Sequence, residues 1–372
     1  LYQVRAERVI CDAHPGFTPS RWANQQDLPV DQVHHHHAHA SGAYHEALLK
    51  NRELEDLLVF TWDGVGLGPD GSLWGGEALL GQPGAWRRVA SFRPFRLPGG
   101  ERAGREPWRS AAALCWETGQ DCPLDETSDP LLFNFWQQGT NAPPTSAVGR
   151  LFDAASALTG VCATASFEGQ GPMMLETLAA AHLGNAHHQQ DEHRHPDRHR
   201  HPGEGRDLRQ SPVMPVDLPH HPDRHRHPGE SAHGCAYVAG AQDVRSDCRD
   251  LLQPPVLPTD LPISKPDETY ITDWAPLIPM LLDSSLDQAE RAARFHQSMA
   301  HALLAQATQL REDTGVSSVA LSGGVFQNRV LTEQSIALLE QHGFETTLPL
   351  LIPVNDGGIS FGQIVDYGFN RE

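Results

Sequence analysis

Five of the six residues from His34 to His39 are histidines, with Ala38 interposed. His35 and His39 stand four apart, so on a helix both imidazoles leave the same face one turn from each other. That spacing lets a single helix offer two nitrogens to one metal ion. Asp63, in Thr61-Trp62-Asp63-Gly64-Val65-Gly66, and Asp356, in Asn355-Asp356-Gly357-Gly358, each sit beside glycines at opposite ends of the chain. Read as turns that follow strands, the two segments complete an N2O2 ligand set. A metal held beside glycine-rich loops points to chemistry on a phosphorylated nucleotide. Two other readings stand beside this one: a purification tag and an incidental polar run. The run is interior, is broken by Ala38 and continues into small and apolar residues, which argues against a tag. His36 and His37 point elsewhere on the helix and either contact substrate or do nothing.

Gly64 and Gly66, and Gly323 and Gly324 in Ser322-Gly323-Gly324, are candidate phosphate-facing positions. Glycine admits positive φ and close approach, and successive N–H groups then form a concave anion site. A glycine turn between strands is, by itself, more often only a turn. Asn328 opens a helix after the second turn and either caps it or binds a ribose or base. Asp153 and Glu168 either hold ribose hydroxyls or are surface carboxylates.

The elements that must place these groups read as mixed α/β. Val9-Ile10-Cys11 and Leu57 to Thr61 read as buried strands. Asp63 to Gly71 reads as a tight glycine turn, with Ser72 to Leu80 as the returning strand. Helices are expected over His39–Leu49, Gly149–Leu158 (ending at Gly160), Met173–Leu183, Leu286–Glu312 and Asn328–Gln341, with a strand at Val319–Leu321. Pro254 to Pro266 reads as an extended connector. Residues 187–233 carry the nonapeptide Pro-Asp-Arg-His-Arg-His-Pro-Gly-Glu twice, at Pro196 and Pro222, and half of the chain's 22 histidines. With almost no branched or aromatic apolar residues, this stretch cannot offset its ordering entropy and is expected to be a mobile insertion, with at most loose affinity for nickel or zinc.

A formal charge of −19 over 372 residues argues against a broad nucleic-acid grip, which needs clustered Lys and Arg. The six cysteines contain no C-x-x-C pair, so neither a disulfide framework nor a zinc ribbon is expected, and a cytoplasmic location is the simplest reading. No apolar run reaches the roughly 18 residues of a membrane span, so no membrane partner is expected, and no signal peptide is evident. The chain begins at Leu1, which reads as a fragment or a lost start.

Taken together the motifs resemble the C-terminal, Kae1-like portion of the HypF family of hydrogenase-maturation carbamoyltransferases. The resemblance rests on Cys11-Asp12-Ala13-His14-Pro15 with Ser20-Arg21-Trp22-Ala23, on the His35–His39 cluster, and on Asp63-Gly64-Val65-Gly66 leading to Trp74-Gly75-Gly76-Glu77. It continues through Gly149-Arg150-Leu151-Phe152-Asp153-Ala154, Phe167-Glu168-Gly169-Gln170, Leu321 to Asn328 and Asn355-Asp356-Gly357-Gly358, in the family's order and over residues 1–372. It implies a two-lobed actin/Hsp70-like nucleotide-binding fold with a metal in the interlobe cleft. It also implies carbamoyl transfer from carbamoyl-adenylate, made from carbamoyl phosphate and ATP, to the C-terminal cysteine thiol of a HypE-like partner. That thiocarbamate becomes the cyanide ligand of nickel–iron hydrogenase. By position His35, His39, Asp63 and Asp356 hold the metal, iron or zinc, with magnesium as a further ion. Gly64, Gly66, Asp153, Glu168, Gly323, Gly324 and Asn328 face the nucleotide. His14 or His36 is the candidate acceptor of the thiol proton.

Departures from the family are the Gly171-Pro172 step, the His-rich insertion, and the absence of acylphosphatase, zinc-finger and YrdC-like motifs, without which the chain is not expected to make the adenylate itself. The rival readings are a threonylcarbamoyl transferase acting on tRNA, which carries Ser-Gly-Gly where this chain has Asp63-Gly64-Val65, a small-molecule O-carbamoyltransferase, and a non-catalytic nickel-binding protein.

Overall fold

The computed structural model describes residues 5–194 and 256–369. In chain order the strands and helices begin with β1 (Val9–Asp12), α1 (Thr18–Ala23), β2 (Val30–Val33), α2 (His35–Lys50), β3 (Leu57–Leu67), β4 (Leu73–Gly81), β5 (Arg87–Phe92) and β6 (Phe95–Arg96). Next come α3 (Trp108–Thr118), α4 (Pro130–Gln137), β7 (Pro144–Thr145), α5 (Val148–Leu158) and α6 (Gln170–Arg194). The rest are β8 (Ile263–Ser264), β9 (Tyr270–Thr272), α7 (Leu277–Leu282), α8 (Gln288–Thr314), β10 (Ser318–Ser322), α9 (Arg329–Gln341), β11 (Glu345–Thr347) and α10 (Ile359–Phe369).

A nine-stranded mixed sheet runs β11-β10-β3-β4-β5-β9-β8, with β6 and β7 attached beside β4, and β1 and β2 form a separate parallel pair. Alternation along β3 explains why helices cover both faces. Leu58, Phe60 and Trp62 point into one buried cluster with α3, α5 and α8, while Leu57 and Val59 point into another with Ala40, Ala43, Tyr44 and Ala47 of α2. Burying side chains of this size stabilises by about 1.5–3 kcal/mol each. Trp62, fully buried, stacks on Phe326 at 5.4 Å and meets Phe92 edge-on at 5.5 Å, which pins the residue before Asp63.

Several expectations need correction. The segment Asp63 to Leu67 is not a turn: β3 continues through it, with an irregular register between Trp62 and Gly66, and the turn lies at Gly68 to Gly71. Close packing is the reason glycine recurs there. A Cβ at Gly66 would lie 2.5 Å from His36 and 2.9 Å from His35. Helix α2 begins at His35 rather than His39; its N-cap, His34, makes no side-chain cap. Asp356 follows an irregular segment, not a strand, and lies in a short 3-10 turn that leads into α10. Part of the expected connector is strand β8. Helix α6 runs on through Arg194, so the expected insertion overlaps it, and residues 195–233 lie outside those described. Cys11, Cys115, Cys122 and Cys162 are free thiols. Among the described residues no helix is long and apolar enough to cross a membrane.

Candidate metal centre

Strands β3 and β10 run parallel, as do β1 and β2, and the site stands where β3 passes the carboxyl end of β10, near the carboxyl ends of β1 and β2. Asp63 follows the buried run Leu57–Trp62 of β3, Ser322 ends β10, Asp12 ends β1, and β2 leads directly into His34 and His35. Helix α2 then brings His35 and His39 to one face, and the 3-10 turn brings Asp356 to them from the far end of the sequence.

The four residues converge. One ligand atom from each of His35, His39, Asp63 and Asp356 lies within 4.8 Å of the other three. Nε2 of His35 is 3.4 Å from Asp63 Oδ2 and 3.5 Å from Asp356 Oδ1, and Nε2 of His39 is 3.1 Å and 3.6 Å from the same atoms. Bonds of about 2.0–2.1 Å in tetrahedral array place neighbouring donors about 3.4 Å apart, so the separations fit a zinc-sized ion. His35 Nε2 is buried and has no hydrogen-bond partner, so its lone pair fits a metal-ligating role. The iron-or-zinc choice is open to this donor set; two imidazoles and two carboxylates suit either.

Groups behind the ligands hold them in place. Asp12 Oδ2 lies 2.9 Å from His35 Nδ1, which fixes the proton there and turns Nε2 toward the centre. Ser322 Oγ lies 3.4 Å from His39 Nδ1. Asp63 Oδ1 accepts from the Gly64 N–H at 2.7 Å, which leaves Oδ2 for the imidazoles. Burial works against a charged His35, yet its interactions with the carboxylates of Asp12, Asp356 and Asp63 outweigh it and hold its pKa well above the ordinary imidazole value. Burial likewise works against ionised Asp63, but both imidazoles keep its carboxyl well below the usual range. The same imidazoles lower Asp356.

A ligand imidazole must be neutral, so in the metal-free chain His35 has to give up a proton on binding. Zinc affinity is therefore expected to rise with pH as His35 loses its proton. Competition with a chromophoric chelator reads this directly. The sign for folding runs the other way. Without metal, a raised imidazole pKa contributes stability that is fully present below 6.5 and is lost as pH climbs through the folded value. An affinity that does not change with pH would contradict a protonated His35.

The remaining expected site residues fall into two groups. Arg150, deeply buried, donates from one nitrogen to Asp153 at 2.6 Å, from another to Glu168 at 2.9 Å, and from Nε to the Gly64 carbonyl at 3.2 Å. Burial pushes the Asp153 carboxyl up to about 6 despite this guanidinium. Asp153 and Glu168 thus share one cation beside β3. Arg150 lies in Gly149-Arg150-Leu151-Phe152-Asp153-Ala154, and nothing in its spacing there marks it as the link. Gly64 and Gly323 spend their N–H groups inside the chain, on Asp63 and on the Val354 carbonyl at 2.7 Å. Gly323 has φ 101° and a Cβ there would lie 2.3 Å from the Trp62 carbonyl oxygen, while a Cβ on Gly324 would meet Asp63 Oδ1 at 3.0 Å. Asn328 caps α9 by accepting from the Leu331 N–H at 3.0 Å and pairs with buried His296 at 2.9 Å. His14 stacks on Phe17 at 4.4 Å, and its Nδ1 accepts from the Gly16 N–H. His36 is fully buried behind His35, with neither ring nitrogen hydrogen-bonded, and burial holds its pKa well below the ordinary value.

Comparison with known proteins gives a consistent result. A family model described as "Carbamoyltransferase, Kae1-like Domain, second subdomain" matches residues 59–202 and 252–363, and one described as "HypF Kae1-like domain" matches residues 1–46. Carbamoyltransferase HypF2 of Cupriavidus necator is 32% identical over 377 residues, covering 98% of this chain and 40% of the relative. A shorter carbamoyltransferase HypF homolog of the same organism is 29% identical over 380 residues, covering 97% of this chain and 77% of the relative. Full-length HypF, crystallised in a phosphate- and nucleotide-bound form, superposes with TM-score 0.72 at 25% identity over 100% of this chain and 40% of that one. The chain thus spans about 40% of the length of HypF2 and of the crystallised protein.

Proposed function

This chain belongs to the HypF family of carbamoyltransferases, in its Kae1-like part, and from that premise we propose that it transfers a carbamoyl group from carbamoyl-adenylate to the C-terminal cysteine thiol of a HypE-like partner. The observation that carries the reading is the convergence of His35, His39, Asp63 and Asp356 where β3 passes the carboxyl end of β10. A metal held by His35, His39, Asp63 and Asp356 would supply charge neutralisation at the adenylate phosphate and Lewis acidity toward the acyl phosphate.

The chain's own residues do the positioning. Asp12 and Ser322 fix the two imidazoles, so the donor set costs little reorganisation. The Gly64 and Gly323–Gly324 segments let strand, turn and ligand loop approach within packing distance of one another. Arg150 brings positive charge and two carboxylates to the Gly64 edge of the same strand, where the nucleotide sugar is expected. In its neutral form His14 carries its proton on Nε2, because Nδ1 accepts from Gly16, and that tautomer suits an anionic oxygen of the adenylate. The nucleophile comes from the acceptor, and none of the chain's cysteines is needed. Maturation of the hydrogenase cyanide ligand and a cytoplasmic setting follow as parts of the same proposal.

The test is incubation of the chain with synthetic carbamoyl-adenylate and a Cys-terminated peptide, read by mass. A carbamoyl adduct on the terminal cysteine is the expected result. An adduct on tRNA or on a small-molecule hydroxyl instead, or none with a metal-loaded chain, overturns the assignment.

A further inference from the structure

Asp356 is the weakly anchored member of the ligand set. Its side chain is 74% exposed, whereas those of His35 and His39 are almost wholly buried and that of Asp63 is 14% exposed. It hangs on an irregular segment between β11 and α10. Something must hold that segment if the fourth ligand is to stand ready, since a carboxylate on a free loop would lose affinity to ordering entropy.

Two tethers are present. The Val354 carbonyl accepts from the Gly323 N–H, which ties the loop to the end of β10. The second tether is Glu46, a buried carboxylate on α2 that sits eleven residues after His35 on the same helix. Its Oε1 accepts from the Leu350 N–H at 2.6 Å, and its Oε2 accepts from Leu351 at 3.0 Å and Ile352 at 3.3 Å. Three consecutive amides on one carboxylate make a charge-assisted clamp of a kind that a neutral amide cannot reproduce. The side chains of Leu350 and Leu351 are 80% and 76% exposed, so packing of those side chains contributes little to holding the segment.

We infer that Glu46 is a positioning residue for the metal centre: it locks residues 350–352 to α2 and so delivers Asp356 to the histidines that the same helix carries. One helix would then set both halves of the ligand set, the nitrogens directly and the last carboxylate through a clamped loop. The inference rests on the metal reading of the site given above.

The experiment is a double-mutant cycle on zinc affinity of the purified chain, measured by competition with a chromophoric chelator, using Glu46→Gln, Asp356→Ala and the pair. Glu46→Gln is expected to weaken zinc binding about tenfold, at the low end for groups that orient ligands. In the Asp356→Ala background the same change is expected to cost nothing further, because the ligand it positions is gone. Hydrogen exchange of peptides spanning residues 349–356 should speed up in Glu46→Gln without zinc present. Wild-type affinity in Glu46→Gln, or an equal loss with and without Asp356, overturns the inference. Should Glu46→Gln fail to fold, Glu46→Asp, which retracts the carboxylate by one methylene, enters the same cycle. If Asp356→Ala alone binds zinc as wild type does, it is the ligand assignment that fails, and the two failures are told apart.

Discussion

His39→Ala is expected to give a folded chain that neither retains metal nor transfers a carbamoyl group. His39 Nε2 lies 3.1 Å from Asp63 and 3.6 Å from Asp356, so its loss removes one of only two nitrogens from the set. Groups that merely orient ligands typically matter 10–100-fold in metal affinity, so removal of a ligand should exceed about 100-fold. The fold should tolerate the change. Alanine is the best helix former, and Ala38 and Ala40 already flank the position in α2. What remains is Asp63 with one imidazole partner in place of two, a local electrostatic loss of a kind usually worth one to a few kcal/mol at about this depth of burial. Metal analysis of the purified variant, circular dichroism and the mass assay for peptide carbamoylation together make the test. A His39→Ala chain carrying a full equivalent of tightly bound metal would falsify the ligand assignment.

The sequence announces this centre unevenly, and the reason is range. His35 and His39 are legible because a helix converts a spacing of four into a shared face, and both residues lie within one element. Asp12 is not legible as their partner. Its contact with His35 depends on the parallel pairing of β1 with β2, which sets Asp12 beside Val33 and so beside the first turn of α2. Glu46 is hidden for the same reason, since its three amide partners lie some 300 positions further along the chain. The glycines were visible but ambiguous. Gly66 admits the histidine helix, and Gly323 relieves both a positive φ and a contact with the Trp62 carbonyl, so two turn-like signals turn out to be sites of close approach. For Asn328, capping and ligand binding ask for the same polar side chain after a glycine turn. Only the Leu331 and His296 contacts separate them.

The packing that brings the two ends of the chain together is itself testable at Gly362→Ala. Helix α10 crosses α2 with Gly362 against the Ala38 backbone: a Cβ there would lie 1.9 Å from the Ala38 carbonyl oxygen and 2.6 Å from its carbon. These are backbone atoms and cannot swing aside as a side-chain tip would, so the helices must separate. Overpacking of this kind costs about 1–3 kcal/mol, and contact with a main chain places it toward the upper end. Against it stands the gain in helix propensity, about 1 kcal/mol for Gly to Ala. The clash wins, and a net loss of about 2 kcal/mol in urea unfolding is expected. Gly368, on the same helix and exposed, meets nothing within 4 Å, so Gly368→Ala should instead stabilise by up to about 1 kcal/mol. Opposite signs from the same substitution isolate contact from propensity. The function should follow the contact. Ala38 adjoins His39, and α10 begins three residues after Asp356, so separating the helices draws the fourth ligand away from the histidines. Zinc affinity is therefore expected to fall in Gly362→Ala and to stay unchanged in Gly368→Ala. If Gly362→Ala lost stability with full affinity, the helix crossing would serve the fold alone, and the loop's own tethers would suffice to place Asp356.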